Sequence, residues 1–124
     1  MKNMHFKRRL PFPKVIKEQY PITAELAQVK EARDQGIAEV FTGKSDKMVL
    51  IIGPCSADRE DAVLDYCSRL ARVQEKVADK LILIPRVYTN KPRTTGEGYK
   101  GRLHQPDPEK ESDMRLGVIA MRRL

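Results

Sequence analysis

The sequence predicts an α/β protein built on parallel strands, because two short apolar runs flank one amphipathic helix. The runs are residues 48–53 (MVLIIG) and residues 81–85 (LILIP). The apolar residues that recur between them at helical spacing are Ala62, Tyr66, Leu70, Val73 and Val77. Strand, helix and strand of these lengths form a βαβ unit, in which the two strands pair in parallel. We expect Ser56 or Asp58 to cap this helix and Lys80 to close it.

The first apolar run contains no alternating polar residues, which is typical of a strand buried on both faces. A last helix is predicted after Asp113, its N-cap, with Leu116, Ile119 and Ala120 on one side. It reaches Leu124 without a Gly or Pro stop, so we expect it to be cut there rather than finished. Two parallel strands and three helices cannot cover a sheet on both faces. The chain is therefore expected to be the front portion of a larger α/β protein.

The first 47 residues are predicted to precede this unit as a separate arm and helix. Residues 1–20 mix cations with Pro11 and Pro13 and lack helical periodicity, which favours an extended arm. A helix is then expected from Thr23, a plausible N-cap, to a stop at Gly43. Its predicted apolar face consists of Ala24, Ala27, Val29, Ala32, Val40 and Phe41. Residues 1–47 would form this extension and residues 48–124 the βαβα portion.

The net charge of +7 is concentrated in two segments. Residues 1–20 hold six Lys and Arg against one Glu, and residues 86–102 hold five against one. Such a cationic loop implies an anionic partner. A small nucleic-acid-binding protein is the competing interpretation, but no binding motif or repeated aromatic residues accompany the charge, so no nucleic acid is expected.

No membrane partner is expected, since no apolar run approaches the ~20 residues of a membrane span. The basic N-terminus also lacks the apolar region of a signal peptide. We therefore expect a cytoplasmic protein whose two cysteines, Cys55 and Cys67, are reduced thiols.

Cys55 lies just past the first predicted strand, and Arg86 lies at the end of the second. Because ligands gather at the carboxyl ends of parallel strands, both side chains are expected in one crevice. Cys55 could be a nucleophile, a metal ligand or a small buried filler, and residue type alone favours the filler. Neither His5 nor His104 stands at a spacing that supports the first two roles. Cys67 is expected to belong to the core.

The loop RVYTNKPRTTGEGYKG follows the second strand and has the composition of an anion site. Arg86, Lys91 and Arg93 offer donors suited to carboxylate and phosphate oxygens. Two threonine hydroxyls follow, and Gly96 and Gly98 allow backbone N–H groups to approach an anion closely. The competing interpretation is a solvated charged loop. Clustering of the cations beside a strand end favours the anion site.

GPCS after an apolar strand, followed one strand later by KPRTT, resembles the type I 3-deoxy-D-arabino-heptulosonate 7-phosphate (DAHP) synthases. The arm LPFP…YPIT and the helix after it resemble the extension of the members inhibited by aromatic amino acids. The resemblance implies the N-terminal part of a (β/α)₈ TIM barrel, preceded by an N-terminal arm and helix. It also implies a homo-oligomer and an aromatic amino acid as effector.

The activity implied by the resemblance is the condensation of phosphoenolpyruvate with erythrose 4-phosphate to DAHP and phosphate. This reaction opens the shikimate pathway to aromatic amino acids. A divalent metal ion (Mn, Fe, Co or Zn) is the implied cofactor, with Cys55 as one ligand. Arg86 and Lys91 would hold phosphoenolpyruvate. The residues implied for erythrose 4-phosphate are Pro92, Arg93 and Thr94, and those implied as catalytic are Lys91 and Lys100.

The remaining metal ligands of the family, a His, a Glu and an Asp, come from later strands that this sequence does not contain. We therefore expect the 124 residues to be inactive alone. The alternative is a non-catalytic, truncated dimerisation or regulatory module built on the arm and first helix.

Overall fold

The computed structural model describes residues 3, 5 and 8–124, and it confirms an α/β arrangement. The elements are α1 (Pro13–Gln19), α2 (Ala24–Phe41), β1 (Met48–Ile52), α3 (Glu60–Val77), β2 (Leu81–Pro85) and α4 (Met114–Arg123). β1 and β2 pair in parallel, in a register that runs from Met48 opposite Leu81 to Ile52 opposite Pro85. None of the described helices is long and apolar enough to cross a membrane.

The prediction of an extended arm is wrong where α1 forms. Pro13 occupies the start of this helix, where its fixed φ suits the first turn and its missing N–H costs nothing. Ile16 is only 4% exposed and lies on the helix that contacts α4. A single buried side chain therefore stabilises a helix too short to show periodicity. Residues 1, 2, 4, 6 and 7 of the predicted arm lie outside the described part of the chain.

Both predicted ends of α2 are confirmed, but its predicted apolar face is not buried. The Thr23 hydroxyl accepts a hydrogen bond from the Leu26 N–H at 3.2 Å, and Gly43 follows the helix with φ +72°. No residue of α2 is buried, and Leu26, Val29 and Phe41 are exposed. The helix approaches the sheet near Gly36, where a Cβ would lie 3.6 Å from Ile82, and leaves these apolar side chains uncovered.

The expectation that β1 is buried on both faces is also wrong for this chain. Four of its five residues are exposed. β1 is one of two strands, and α3 packs mainly against the other, β2, where Leu83 is buried. The apolar sequence of β1 suits a covered strand, but the described residues supply cover mainly to β2.

Neither predicted cap residue stands at the start of α3. The N-cap position is Arg59, without a side-chain cap, and Asp58 accepts only from the Arg59 N–H, at 3.0 Å. Two acidic residues in the first turn, Glu60 and Asp61, complement the positive end of the helix dipole instead. The helix ends at Val77, close to the predicted stop.

The inward stripe of α3 is shifted by one residue at two places. Val63 is buried while Ala62 is exposed, and Gln74 is half-buried while Val73 is exposed. The half-buried members that match the prediction are Tyr66, Leu70 and Val77. Cys67 is also half-buried, as expected of a residue beside the core.

Gln74 turns inward because its amide satisfies the outer edge of β2. Its Nε2 donates to the Leu81 carbonyl at 2.9 Å, and its Oε1 accepts from the Leu83 N–H at 2.7 Å. Lys80 and Arg86 bond to β1, so the odd-numbered residues of β2 direct their backbone groups away from it. Gln74 thus supplies hydrogen bonds that a third strand would otherwise make.

The long loop and the cap of α4 agree with the prediction. Residues 86–112 contain no helix or strand, and Asp113 accepts from the N–H groups of Arg115 and Leu116 at 2.9 and 3.1 Å. Arg8 also donates to Asp113, at 2.5 Å, which ties the N-terminal segment to this helix. On α4, Ile119 and Ala120 are half-buried as predicted, whereas Leu116 is exposed and the adjacent Gly117 is buried.

Replacing Asp113 by Ala tests the cap. We expect the free energy of unfolding in urea to fall by about 1 kcal/mol, because two helix N–H groups lose their acceptor. The hydrogen bond from Arg8 is the main cause that holds the pKa of Asp113 below its usual range, and the bond from the Leu116 N–H is the second. The stabilisation is therefore present at neutral pH and is lost as the pH falls through that lowered pKa, so wild type and variant should converge in acid.

The matched control is Asp65→Ala, which removes an exposed Asp65–Arg69 pair on α3. It should change the free energy of unfolding by less than about 0.5 kcal/mol. Equal losses for the two variants would contradict the capping role of Asp113.

Candidate anion- and metal-binding site

The carboxyl ends of β1 and β2 lie so close together that only glycine fits at position 53. The Arg86 N–H donates to the Ile52 carbonyl at 2.9 Å, which extends the parallel pairing by one step. At Gly53, the next residue, a Cβ would lie 2.0 Å from the Arg86 carbonyl oxygen. The close approach brings the segment after β1 alongside the segment after β2.

Cys55 and Lys91 meet in the crevice predicted at these strand ends. The Lys91 Nζ donates to the Cys55 Sγ at 2.9 Å, and Cys55 is exposed. The interpretation of Cys55 as a buried filler is therefore wrong. Arg86 also faces this region, since its Nη1 lies 3.5 Å from the Pro54 carbonyl oxygen.

The cations around Cys55 favour its thiolate. The hydrogen bond from Lys91 is the main cause that lowers the thiol pKa, and the charge of Lys91 is the second. Desolvation opposes the shift, and the charges of Arg86 and Arg93 add to it. A thiolate is the form of cysteine that binds metals and acts as a nucleophile.

Tyr88 orders two of these cations, a role that the sequence analysis missed. The Arg86 guanidinium lies 4.2 Å from the centre of the Tyr88 ring, and the Lys91 Nζ lies 5.8 Å from it. The Tyr88 carbonyl also accepts from the Ala57 N–H at 3.1 Å, so this residue links the loop to the segment that carries Cys55. An aromatic residue between two cations, as in RVYTNK, was the available signal.

Residues 91–100 form the loop for which the resemblance implies substrate-binding residues, and we call it the substrate loop. It is closed at its base by two backbone hydrogen bonds. The Lys91 N–H donates to the Lys100 carbonyl at 2.9 Å, and the Leu103 N–H donates to the Thr89 carbonyl at 3.0 Å. Gly101 lies between them with φ +99°, and a Cβ there would lie 2.5 Å from the Thr89 oxygen. Lys100 therefore contributes its backbone to the base of the loop, and the residue is exposed.

The tip of the substrate loop carries the remaining predicted site residues. Pro92, Arg93 and Thr94 are exposed, and the Gly96 N–H donates to the Arg93 carbonyl at 3.1 Å to form a turn. The Arg93 Nε donates to the Tyr99 carbonyl at 3.0 Å. This bond holds the guanidinium against the loop. From there its charge helps to lower the pKa of Cys55.

The structure thus brings Cys55, Lys91, Arg86 and Arg93 together, whereas Lys100 is close to Lys91 through the backbone alone. Within residues 3, 5 and 8–124, no group of three or more His, Cys, Asp and Glu side chains is placed to hold a metal ion. Cys55 can therefore be one ligand of a metal, and the described residues do not complete the set.

A cavity of about 330 Å³ lies elsewhere, between α2, α3 and β2. Its lining includes Ile37, Leu70 and Ile82 together with Gln74, and none of the predicted site residues. This cavity is therefore separate from the residues that are predicted to form the site.

Parallel strands with a thiol and a cationic loop at their carboxyl ends define an α/β protein with a candidate anion site. Residues 19–118 match the DAHP synthetase I family, and the chain belongs to that family. It is 35% identical over 90% of its length to the phenylalanine-inhibited phospho-2-dehydro-3-deoxyheptonate aldolase of Saccharomyces cerevisiae. It is 30% identical over its whole length to the Tyr-sensitive enzyme of that name from Escherichia coli.

The phospho-2-dehydro-3-deoxyheptonate aldolase structure from Francisella tularensis superposes on 95% of the chain with a TM-score of 0.81 and 27% sequence identity. The chain covers 34% of that structure, 30% of the yeast relative and 35% of the Escherichia coli relative. It therefore spans about a third of each of these three proteins.

Two glycine substitutions test the base of the substrate loop. Gly96→Ala places a Cβ in open space and should cost about 1 kcal/mol, the price of a left-handed backbone. Gly101→Ala also places alanine in a left-handed backbone conformation. In addition, its Cβ would clash with the Thr89 carbonyl, so the two backbone segments at the loop base have to move apart. Hydrogen exchange is the measurement: the Lys91 and Leu103 amides should lose protection in Gly101→Ala and keep it in Gly96→Ala. Equal protection in both variants would show that the close contact at Gly101 is not needed.

Alkylation tests the electrostatics at Cys55. In a Cys67→Ser background, the rate of iodoacetamide alkylation of Cys55 should rise at a lower pH than that of a free thiol, because Lys91 lowers the pKa. Lys91→Met should move the rise to higher pH. Lys100→Met removes a lysine of the same loop that does not act on Cys55, and it should leave the pH profile in place. The electrostatic account fails if the two lysine variants behave alike.

Proposed function

We propose that this chain carries the substrate-binding strand ends of a (β/α)₈-barrel DAHP synthase. The reaction condenses phosphoenolpyruvate with erythrose 4-phosphate and yields DAHP and phosphate. The observation that carries the proposal is the contact between Lys91 and Cys55, with Arg86 and Arg93 close enough to act on the thiol. Both proposed substrates are anions, and these cations lie where parallel strands bind ligands.

Arg86 and Lys91 suit phosphoenolpyruvate, which carries a carboxylate and a phosphate. The Arg86 guanidinium offers a planar pair of donors, and stacking on Tyr88 keeps its plane fixed. The Lys91 Nζ offers a point charge near the same ring. Both cations lie beside Tyr88, and we assign both to the one dianion.

Pro92, Arg93 and Thr94 suit the phosphate of erythrose 4-phosphate. Pro92 restricts the backbone before the turn, and Arg93 is anchored through its Nε. Thr94 lies inside the turn that the Gly96 N–H closes. The guanidinium and the hydroxyl therefore belong to the same turn.

Cys55 fits a divalent metal ion as a thiolate ligand. Lys91, Arg86 and Arg93 favour the deprotonated thiol that metal binding requires, and Mn, Fe, Co and Zn accept mixed sulfur, nitrogen and oxygen ligands. When bound, such an ion supplies Lewis-acid polarisation of the aldehyde carbonyl of erythrose 4-phosphate. Cys55 is the ligand that we assign within the described residues.

The role of the cations is to bring two repelling anions together. Carbon 3 of phosphoenolpyruvate attacks the aldehyde carbon, water adds at carbon 2, and phosphate leaves. Lys91 and Lys100, at the two ends of the substrate loop, would stabilise the negative charge of the reacting groups. Holding both substrates in one crevice removes much of the entropic cost of their encounter.

We assign residues 1–47 to a subunit-contact and regulatory extension in a cytoplasmic homo-oligomer. The exposed apolar side chains of α2 support such contacts, and both cysteines are free thiols. The names of the relatives, phenylalanine-inhibited and Tyr-sensitive, support an aromatic amino acid as effector. The same exposed helix favours the second candidate, a non-catalytic dimerisation or regulatory module.

Calorimetric titration of the chain with phosphoenolpyruvate tests the proposal. Arg86→Met and Lys91→Met should each weaken binding by about tenfold, because each removes a charge-assisted hydrogen bond. Lys76→Met is the matched control: it removes one exposed lysine from the last turn of α3 and should leave the affinity unchanged.

The chain alone should release no phosphate from a mixture of the two substrates, because Cys55 is the one metal ligand we assign to it. Wild-type protein that does not bind phosphoenolpyruvate, or a control that loses as much affinity as Arg86→Met, would contradict the proposal. Absence of anion binding combined with a mass that rises with concentration would favour the non-catalytic module.

A further inference from the structure

Arg102 is a buried cation behind the substrate loop, and none of the roles assigned above uses it. Only 3% of the residue is exposed. Its Nη2 donates to the Glu60 carboxylate in a partly buried ion pair. The Glu60 side chain is 44% exposed, so the pair is covered on the arginine side.

The Arg102–Glu60 pair joins two segments that carry site residues. Arg102 follows Lys100 and Gly101 at the base of the substrate loop, and Glu60 begins α3, five residues after Cys55. Burial raises the pKa of Tyr99, the charge of Asp58 raises it further, and the charge of Arg102 lowers it. Tyr99 therefore lies near both charges, in the same contact between the loop and the segment before α3.

The opposite side of this segment is also fixed. A Cβ on Gly117 of α4 would lie 1.9 Å from the Leu103 carbonyl oxygen and 2.8 Å from that of Arg102. The backbone at residues 102 and 103 is therefore held between α4 and the start of α3. Within this confined space, the ion pair links the segment that follows the loop base to the first residue of α3.

Stability alone is a weak explanation for a buried arginine. Removing a guanidinium from water costs free energy that one ion pair scarcely recovers, and an apolar side chain of similar size would serve a core as well. A directional pair between two particular segments instead fixes their relative position.

We propose that Arg102 is a positioning residue, which acts through Glu60 to hold the substrate loop with Arg93 and Thr94 over the crevice at Cys55. The inference rests on the proposed function and names how its second substrate is held. Of the two residues assigned to phosphoenolpyruvate, Arg86 lies on the strand end, outside the loop, and Lys91 is held from outside the loop by its contact with Cys55. Arg102 should therefore matter more for erythrose 4-phosphate than for phosphoenolpyruvate.

The test compares the two ligands in calorimetric titrations of the chain. Arg102→Met should weaken the binding of erythrose 4-phosphate by about tenfold or more, because small misplacements of binding groups are costly. Binding of phosphoenolpyruvate should weaken by less than about threefold, since Arg86 stays in place and Lys91 keeps its contact with Cys55. Arg102→Lys keeps a cationic donor for Glu60 and should recover most of the lost affinity.

Arg59→Met is the matched control. Arg59 precedes Glu60 and pairs with Asp61, but both side chains of that pair are about 70% exposed. It should change neither affinity. Glu60→Gln removes the charge and keeps an acceptor, and it should shift the ratio of the two affinities in the same direction as Arg102→Met, by a smaller factor. If Arg102→Met does not fold, the ratio in Glu60→Gln decides.

Equal weakening of both ligands by Arg102→Met, in step with a lower melting temperature, would mean a purely structural role and would overturn the inference. So would an unchanged affinity for erythrose 4-phosphate, and in that case the proposed function would stand. A wild-type chain that binds neither ligand would defeat the proposed function and this inference together.

Discussion

The parallel pairing of β1 with β2 determines where every functional group of this chain lies. One further backbone bond, from Arg86 to Ile52, and the absence of a side chain at Gly53 bring the two strand exits together. Cys55 follows the end of β1, and Arg86 follows the end of β2. Any side chain at Gly53 would separate the exits, and the thiol and the cations would no longer share a crevice.

The second constraint is that the cations belong to a loop of fixed shape. Backbone bonds close the substrate loop at its base, and Gly101 permits the close contact there. Arg86 and Lys91 both lie near the Tyr88 ring, while the Arg93 Nε donates to a carbonyl of the loop itself. The site is therefore largely preorganised, and an anion that binds it need not order a flexible segment first.

Local patterns predicted the elements well, and tertiary contacts account for what they missed. Apolar runs and periodicity located both strands and α3, and capping chemistry helped to locate α2 and α4, since those signals are confined to a few consecutive residues. The motifs likewise located Cys55 and the loop. Neither α1 nor the buried Arg102 could be found this way, because each depends on a partner far along the chain. The predicted burial of β1 failed for a related reason. An apolar strand sequence indicates that the strand suits a buried position, but burial also requires other elements to pack on it.

Gln74 has a consequence for any strand that joins the sheet at the outer edge of β2. A side-chain amide carries the same donor and acceptor as a peptide group, so Gln74 imitates one residue of a neighbouring strand. An incoming strand would exchange one amide for another and gain little hydrogen-bond energy at that position. Its affinity would have to come from apolar contacts with the sheet. The edge therefore discriminates against polar strands and against chance pairing, while an apolar strand of matching shape can still displace the glutamine.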